Sequence, residues 1–61
     1  MKVTISIDCE DERELLTHLS VIRQQVKKEF KKLDKEPEQD VVRFSDSNCY
    51  GNHNVEMAFN D

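Results

Sequence analysis

The chain has 61 residues, of which 36% are apolar and 36% are charged, and its net charge is −4. This length allows one domain at most, spanning 1–61, and a domain this small usually supplements its core with disulfides, a structural metal or a partner chain. The longest apolar run is the three residues 57–59, which excludes a membrane span.

The first predicted element is a strand over about residues 2–8. Val3, Ile5 and Ile7 alternate with polar residues, and this period of two is typical of a strand with one buried face. The same stretch lacks the continuous apolar region of a secretory signal peptide. We therefore expect an intracellular, cytoplasmic protein.

The second predicted element is an amphipathic helix over about residues 11–34. Its apolar residues recur every three or four positions and fall within an arc of roughly 80° on a helical wheel. These residues are Leu15, Leu19, Ile22, Val26, Phe30 and Leu33. Asp11 followed by Glu14 predicts the N-terminal cap, with Asp8 as the competing cap, and Pro37 requires the helix to end before it.

A polar linker over residues 35–40 leads to a predicted hairpin over residues 41–60. Val42 and Phe44 mark its first strand, and Val55 and Met57 mark its second. The residues between them, 46–54, are rich in Asn, Ser and Asp, which favours an exposed connecting loop. Gly51, the only glycine, is expected to have a positive φ near the hairpin tip.

The element order β-α-β-β predicts an α+β fold of two layers, with one helix packed on a three-stranded, mostly antiparallel sheet. Two strand orders are compatible with this pattern. The last strand lies between the other two, giving order 1-3-2, or the first two strands pair in parallel through a right-handed crossover. The sequence does not separate them.

The helix stripe from Leu15 to Leu33 is roughly 27 Å long, about twice the apolar length of the first strand. Phe30 and Leu33 are therefore expected to project past the sheet, and Leu16 lies off the stripe where it could extend a contact surface. A second copy of the chain is the simplest cover. We accordingly predict a homodimer that uses either the helix ends or a strand edge.

Charge is distributed in three blocks: −3 over residues 1–20, +4 over residues 21–35 and −5 over residues 36–61. Arg23, Lys27 and Lys31 in the basic block are candidate anion-binding residues. Acidic residues at the start of a helix and basic residues at its end also complement the helix dipole. We favour this second interpretation over nucleic-acid binding, because the chain as a whole is acidic.

No motif predicts catalysis, a metal or a cofactor. Cys9, His18, Cys49 and His53 lack the paired spacing of a zinc site, apart from the interval between Cys49 and His53. Two cysteines are fewer than a small secreted protein normally carries, so no disulfide is predicted. Phosphate-binding loops and nucleophile elbows are absent from the sequence.

The loop that carries Tyr50, Asn52 and His53 combines an aromatic anchor with adaptable polar groups, a mixture typical of recognition loops. The leading hypothesis is a small acidic, non-enzymatic interaction module, dimeric, that blocks or scaffolds a larger protein, as phage-type inhibitors of host systems do. One alternative is a protein that sequesters a small ligand or nucleotide at a dimer seam. The other is a nucleic-acid-binding regulator that uses the basic end of the helix.

Overall fold

The computed structural model describes residues 1–35 and 39–59. It contains strand β1 (Lys2–Asp8), helix α1 (Glu12–Lys35), strand β2 (Val41–Asn48) and strand β3 (Gly51–Ala58). The strands form one sheet in the order β1-β3-β2, and both pairings are antiparallel. The α+β class and the first of the two predicted strand orders are confirmed.

Helix α1 begins as its sequence predicts. The Asp11 side chain accepts a hydrogen bond from the backbone N–H of Glu14 (2.9 Å), which identifies Asp11 rather than Asp8 as the N-cap. The Glu14 carboxylate in turn accepts from the N–H of Glu10 (2.9 Å). Acidic residues occupy the first turn and basic residues the last, so the charges follow the helix dipole as expected.

The strand register arranges the helix-facing side of the sheet in three layers, each centred on β3. Met57 lies between Val3 and Val42, Val55 lies between Ile5 and Phe44, and His53 lies between Ile7 and Asp46. The core of the described residues consists of Ile22 from the helix with Val42, Val55 and Met57 from the sheet. Ile7, Val26, Leu33, Phe44 and Phe59 pack around these four.

The prediction of a loop over residues 46–54 is wrong for most of that range. Both strands continue through it, and only Cys49 and Tyr50 separate β2 from β3. Ser45, Ser47, Asn52 and Asn54 point to the sheet face that the helix leaves open, where polar side chains meet water. The polar composition therefore reflects a solvated sheet face rather than a loop.

The longer strands also reduce the length mismatch predicted between helix and sheet. β3 has eight residues, a span of about 24 Å against roughly 27 Å for the helix stripe. Leu33 is half-buried against the core, so its predicted projection past the sheet is wrong. Phe30 remains exposed (40%), as expected. Its ring centroid lies 5.9 Å from that of Phe59, and the two rings pack edge to face.

Candidate interaction site

The hairpin tip holds Tyr50 on a fixed backbone with its side chain half in solvent (51% exposed). The Asn48 side-chain oxygen accepts a hydrogen bond from the N–H of Tyr50 (2.8 Å), and Asp46 accepts from the N–H of Ser47 (2.9 Å). Such side-chain-to-backbone bonds stabilise a tight turn locally. The aromatic ring is therefore presented to solvent from an ordered base.

Gly51 joins this turn to the end of β1. Its φ is 113°, in the region that favours glycine, as the sequence predicts. A β-carbon at this position would overlap the backbone carbonyl of Asp8. The hairpin therefore packs directly on the last residue of β1, with no room for a side chain between them.

Two buried histidines support the turn from beneath. His18 on α1 and His53 on β3 are 1% and 0% exposed, and their Nδ1 atoms lie 2.8 Å apart. His18 Nε2–H donates to the carbonyl of Tyr50 (3.0 Å). Since a carbonyl only accepts, His18 carries a proton on Nε2, and one further proton lies between the two Nδ1 atoms and can belong to either ring.

The fourth ring nitrogen of this histidine pair, His53 Nε2, lies 2.8 Å from Oε1 of Gln25. With His53 protonated on both nitrogens, Nε2–H donates to that oxygen. A neutral His53 with its proton on Nε2 makes the same bond, whereas a neutral His53 with its proton on Nδ1 requires the Gln25 amide to turn so that its NH₂ group donates to the ring. Gln25 can thus serve either protonation state, and the pair leaves no buried side-chain polar atom without a partner in the described residues.

Burial and the neighbouring charge of His18 lower the pKa of His53, and the carboxylate of Asp46 opposes them. The neutral ring is therefore the favoured form in the folded protein at neutral pH. His53 is not part of an exposed turn, and that expectation is wrong. It contributes to the site only through His18, which fixes the carbonyl of Tyr50.

An acidic concavity of about 360 Å³ lies beside Tyr50. It is formed where the β1–α1 connection meets the hairpin tip, and its lining residues are Asp8, Cys9, Glu10, Glu14, Asn48, Cys49, Tyr50, Gly51 and Asn52. Partial burial, followed by the charges of Glu14, Asp11 and Asp8, raises the pKa of the Cys9 thiol. The thiol is therefore protonated and a weak nucleophile at neutral pH.

The structure separates the predicted contact residues into groups. Tyr50 and Asn52 are exposed together at the acidic concavity, whereas Leu16 is exposed on the helix surface. Phe30 and Leu33 lie in the C-terminal half of the helix, roughly 20 Å or more along its axis from Leu16. These residues do not form one continuous site.

The candidate anion-binding residues Arg23, Lys27 and Lys31 form a row on the helix, because each is four positions from the next. All three are exposed. The row is an exposed basic surface of the helix.

The burial of the two histidines was not predicted, although both positions carry a weak signal in the sequence. His18 lies between Leu15 and Ile22 on the apolar side of the helix, and His53 is in phase with Val55 and Met57 on β3. Both positions indicate burial, which the polar character of histidine concealed. The exposed apolar edge of β1 has no such signal, because it depends on the strand order, which the sequence does not separate.

Both cysteines are free. In the described part of the chain, no group of three or more His, Cys, Asp or Glu residues is arranged to hold a metal ion. No helix there has the length and apolar character that crossing a membrane requires. Comparison with family models, curated proteins and solved structures found no match to this chain.

Proposed function

We propose that this protein is a small, non-enzymatic interaction module that binds a larger protein through the hairpin tip and so blocks or scaffolds it, acting as a homodimer. The observation that carries this proposal is the presentation of Tyr50. Its backbone N–H is held by Asn48 and its carbonyl by His18, while the ring remains exposed. An anchor ordered before binding loses little conformational entropy when a partner arrives.

The charges around Tyr50 define the partner that fits. Asp8, Glu10 and Glu14 line the concavity beside the ring, and none of the described residues that line it is basic. A segment of the partner with Lys or Arg would find carboxylates in the concavity and the face of an aromatic ring at its rim. The proposed partner surface is therefore basic.

A non-enzymatic role is supported by the chemistry of the potential catalytic groups. The raised pKa of Cys9 disfavours its thiolate, and both histidines are sealed in the core with their nitrogens engaged. A nucleophile is activated by a lowered pKa or by an adjacent base, whereas Cys9 has a raised pKa and its thiol donates to the backbone carbonyl of Asp11 (3.8 Å). These properties favour a binding role for this surface over a catalytic one.

The test is affinity capture with the immobilised chain, followed by titration of the purified candidate partner. Tyr50→Ala should reduce the affinity by about tenfold to a hundredfold, the loss typical of an aromatic hot spot. Val41→Ala, which also truncates an exposed apolar residue, is the matched control and should bind as the wild type does. Equal binding by wild type and Tyr50→Ala would reject the hairpin tip as the site.

The basic row favours a second candidate function, binding of a nucleic acid or nucleotide. Lys27→Glu combined with Lys31→Glu reverses two charges of this row without touching the hairpin tip. A complex that is lost in this double variant, that weakens steeply with salt and that is unaffected by Tyr50→Ala would support this second function. A nucleotide ligand would instead be detected by a rise in melting temperature with ligand concentration.

A further inference from the structure

Strand β1 has an open outer edge. β3 occupies one side of it, and no described strand pairs with the other, so alternate backbone N–H and C=O groups along β1 point outward. Its helix-side residues Val3 and Ile5 are 44% and 46% exposed. The residues opposite them in register, Met57 and Val55, are fully buried. β1 therefore combines unpaired backbone groups with uncovered apolar side chains.

The sequence of β1 is complementary to itself in the antiparallel direction. If Ile5 lies opposite Ile5 of a second copy, Val3 lies opposite Ile7 of that copy and Thr4 opposite Ser6. Lys2 then lies opposite Asp8 of the second copy at both ends of the pairing. Apolar residues then lie opposite apolar residues, and polar residues lie opposite polar residues. Each of the two charge pairs joins a lysine to an aspartate.

The other edge of the sheet does not have this property. β2 carries Asp46 on the helix-facing side, in register with His53. Self-pairing of β2 about Phe44 would place Asp46 opposite Val42 of the second copy. A charged residue that points inward on an edge strand opposes pairing with another strand. Of the two edges, β1 is the one suited to a second copy.

We propose that two copies of this chain pair through β1, antiparallel and about a twofold axis at Ile5, to form a continuous six-stranded sheet. The exposed Val3 and Ile5 side chains become covered, and the β2 strands, with their inward Asp46, become the outer edges. The two hairpin tips then point in opposite directions. This inference specifies the homodimer of the proposed function, but it does not depend on the role of Tyr50.

The expected affinity is modest. A seven-residue strand edge is smaller than a standard interface of about 1,600 Å², so dissociation in the micromolar range is expected. Sedimentation velocity from about 1 to 500 µM should show conversion from monomer to dimer. A single monomeric species across this range would overturn the proposal.

Charge variants test the register. Ile5→Lys places like charges at the twofold axis and should weaken dimerisation by about a hundredfold. Lys2→Asp and Asp8→Lys should each weaken it by roughly threefold to tenfold, while the double variant with both substitutions should recover the wild-type value. These residues are exposed or half-exposed, and circular dichroism checks that each variant is folded. A dimer unaffected by Ile5→Lys, or a swap that does not recover, would reject this interface.

A cysteine placed on the axis tests the geometry directly. In a Cys9→Ser, Cys49→Ser background, Ile5→Cys should form a disulfide-linked dimer under mild oxidation, because opposed residues of antiparallel strands lie at disulfide distance. Ser45→Cys, exposed on the β2 edge, is the matched control and should remain monomeric on a non-reducing gel. Equal crosslinking of the two variants would contradict pairing through β1. Dimerisation should be retained in Tyr50→Ala, so failure of the β1 interface and failure of the hairpin site give different results.

Discussion

Strands β1 and β2 are both edges of one sheet, yet they are covered unequally. Val3 and Val42 occupy the same layer on either side of Met57, but Val3 is 44% exposed and Val42 only 5%. In the next layer, Ile5 is exposed while Phe44 packs against the core. The helix layer therefore covers the β2 side of the sheet better than the β1 side.

The two edges also differ in the third layer, where β1 presents Ile7 and β2 presents Asp46 on either side of His53. An inward carboxylate protects an exposed edge from pairing and supplies a charge that offsets the burial of His53. β1 has no such residue. The difference shows that a small two-layer fold can protect one edge strand from pairing through its own residues. The other edge strand is left suited to association.

The largest expected effect comes from Gly51→Ala, which breaks the contact between the hairpin and β1. The new methyl group overlaps the Asp8 carbonyl, and alanine is strained at φ 113°. We expect a loss of about 3 kcal/mol or more in the free energy of unfolding, measured by urea denaturation. Cys49→Ala, at an exposed position of the same turn, should change it by less than about 0.5 kcal/mol. A small effect of Gly51→Ala would mean that the hairpin does not rest on β1.

Replacing Val3 and Val42, which lie in the same layer, by alanine measures how unequally the helix covers the two edges of the sheet. Val42→Ala should lower the free energy of unfolding by about 2 kcal/mol, because it removes buried methyl groups from the core. Val3→Ala, in the same layer, should lower it by less than about 1 kcal/mol at concentrations well below the expected dissociation constant, where the monomer dominates. Equal losses would show that the helix covers both edges alike.

Acid should destabilise the protein through His53, which lies at the centre of the third layer. The pKa of His53 is lowered by folding, so the unfolded chain binds more protons below about pH 6.5. Stability is then fully present above about pH 6.5 and decreases as the pH falls from there toward the lowered pKa of the folded state. Denaturation curves between pH 8 and 5 would measure this, and a flat profile would contradict it.

Asp46→Asn sharpens that test, because it removes the carboxylate that raises the pKa of His53 and leaves His18, which lowers it. The folded-state pKa should fall further, and the loss of stability below pH 6.5 should become larger than in the wild type. NMR titration of the histidine rings reads the same change directly. An unchanged pKa would show that the β2 edge charge does not act on the core.

The smallest expected effect lies on the sheet face that the helix leaves open. Arg43 donates from Nε to Glu56 at 2.9 Å across β2 and β3, and both side chains are largely in solvent. Arg43→Ala should cost less than about 1 kcal/mol of unfolding free energy, with a smaller cost at high salt. A larger loss would show that this ion pair contributes to the stability of the fold.

Much of the candidate site could not be predicted, although each residue in it was visible in the sequence. Tyr50 was identified as a contact residue from its loop-like surroundings, but the fixed backbone beneath it depends on His18, 32 positions earlier. The Asn, Ser and Asp residues around His53 predict an exposed turn. The burial of His53 follows from its alternation with Val55 and from the position of β3 between β1 and β2 in the sheet.

The sequence by itself determined the local elements. Alternation of apolar residues set β1, the spacing of apolar residues with the Asp11 cap set α1, and the glycine at position 51 set the positive φ of the hairpin, because all three depend on neighbouring residues. Only the tertiary structure decided the strand order, the burial of the two histidines and the unequal cover of the two edges. These depend on which surfaces meet across distant parts of the chain, and no local pattern records that choice.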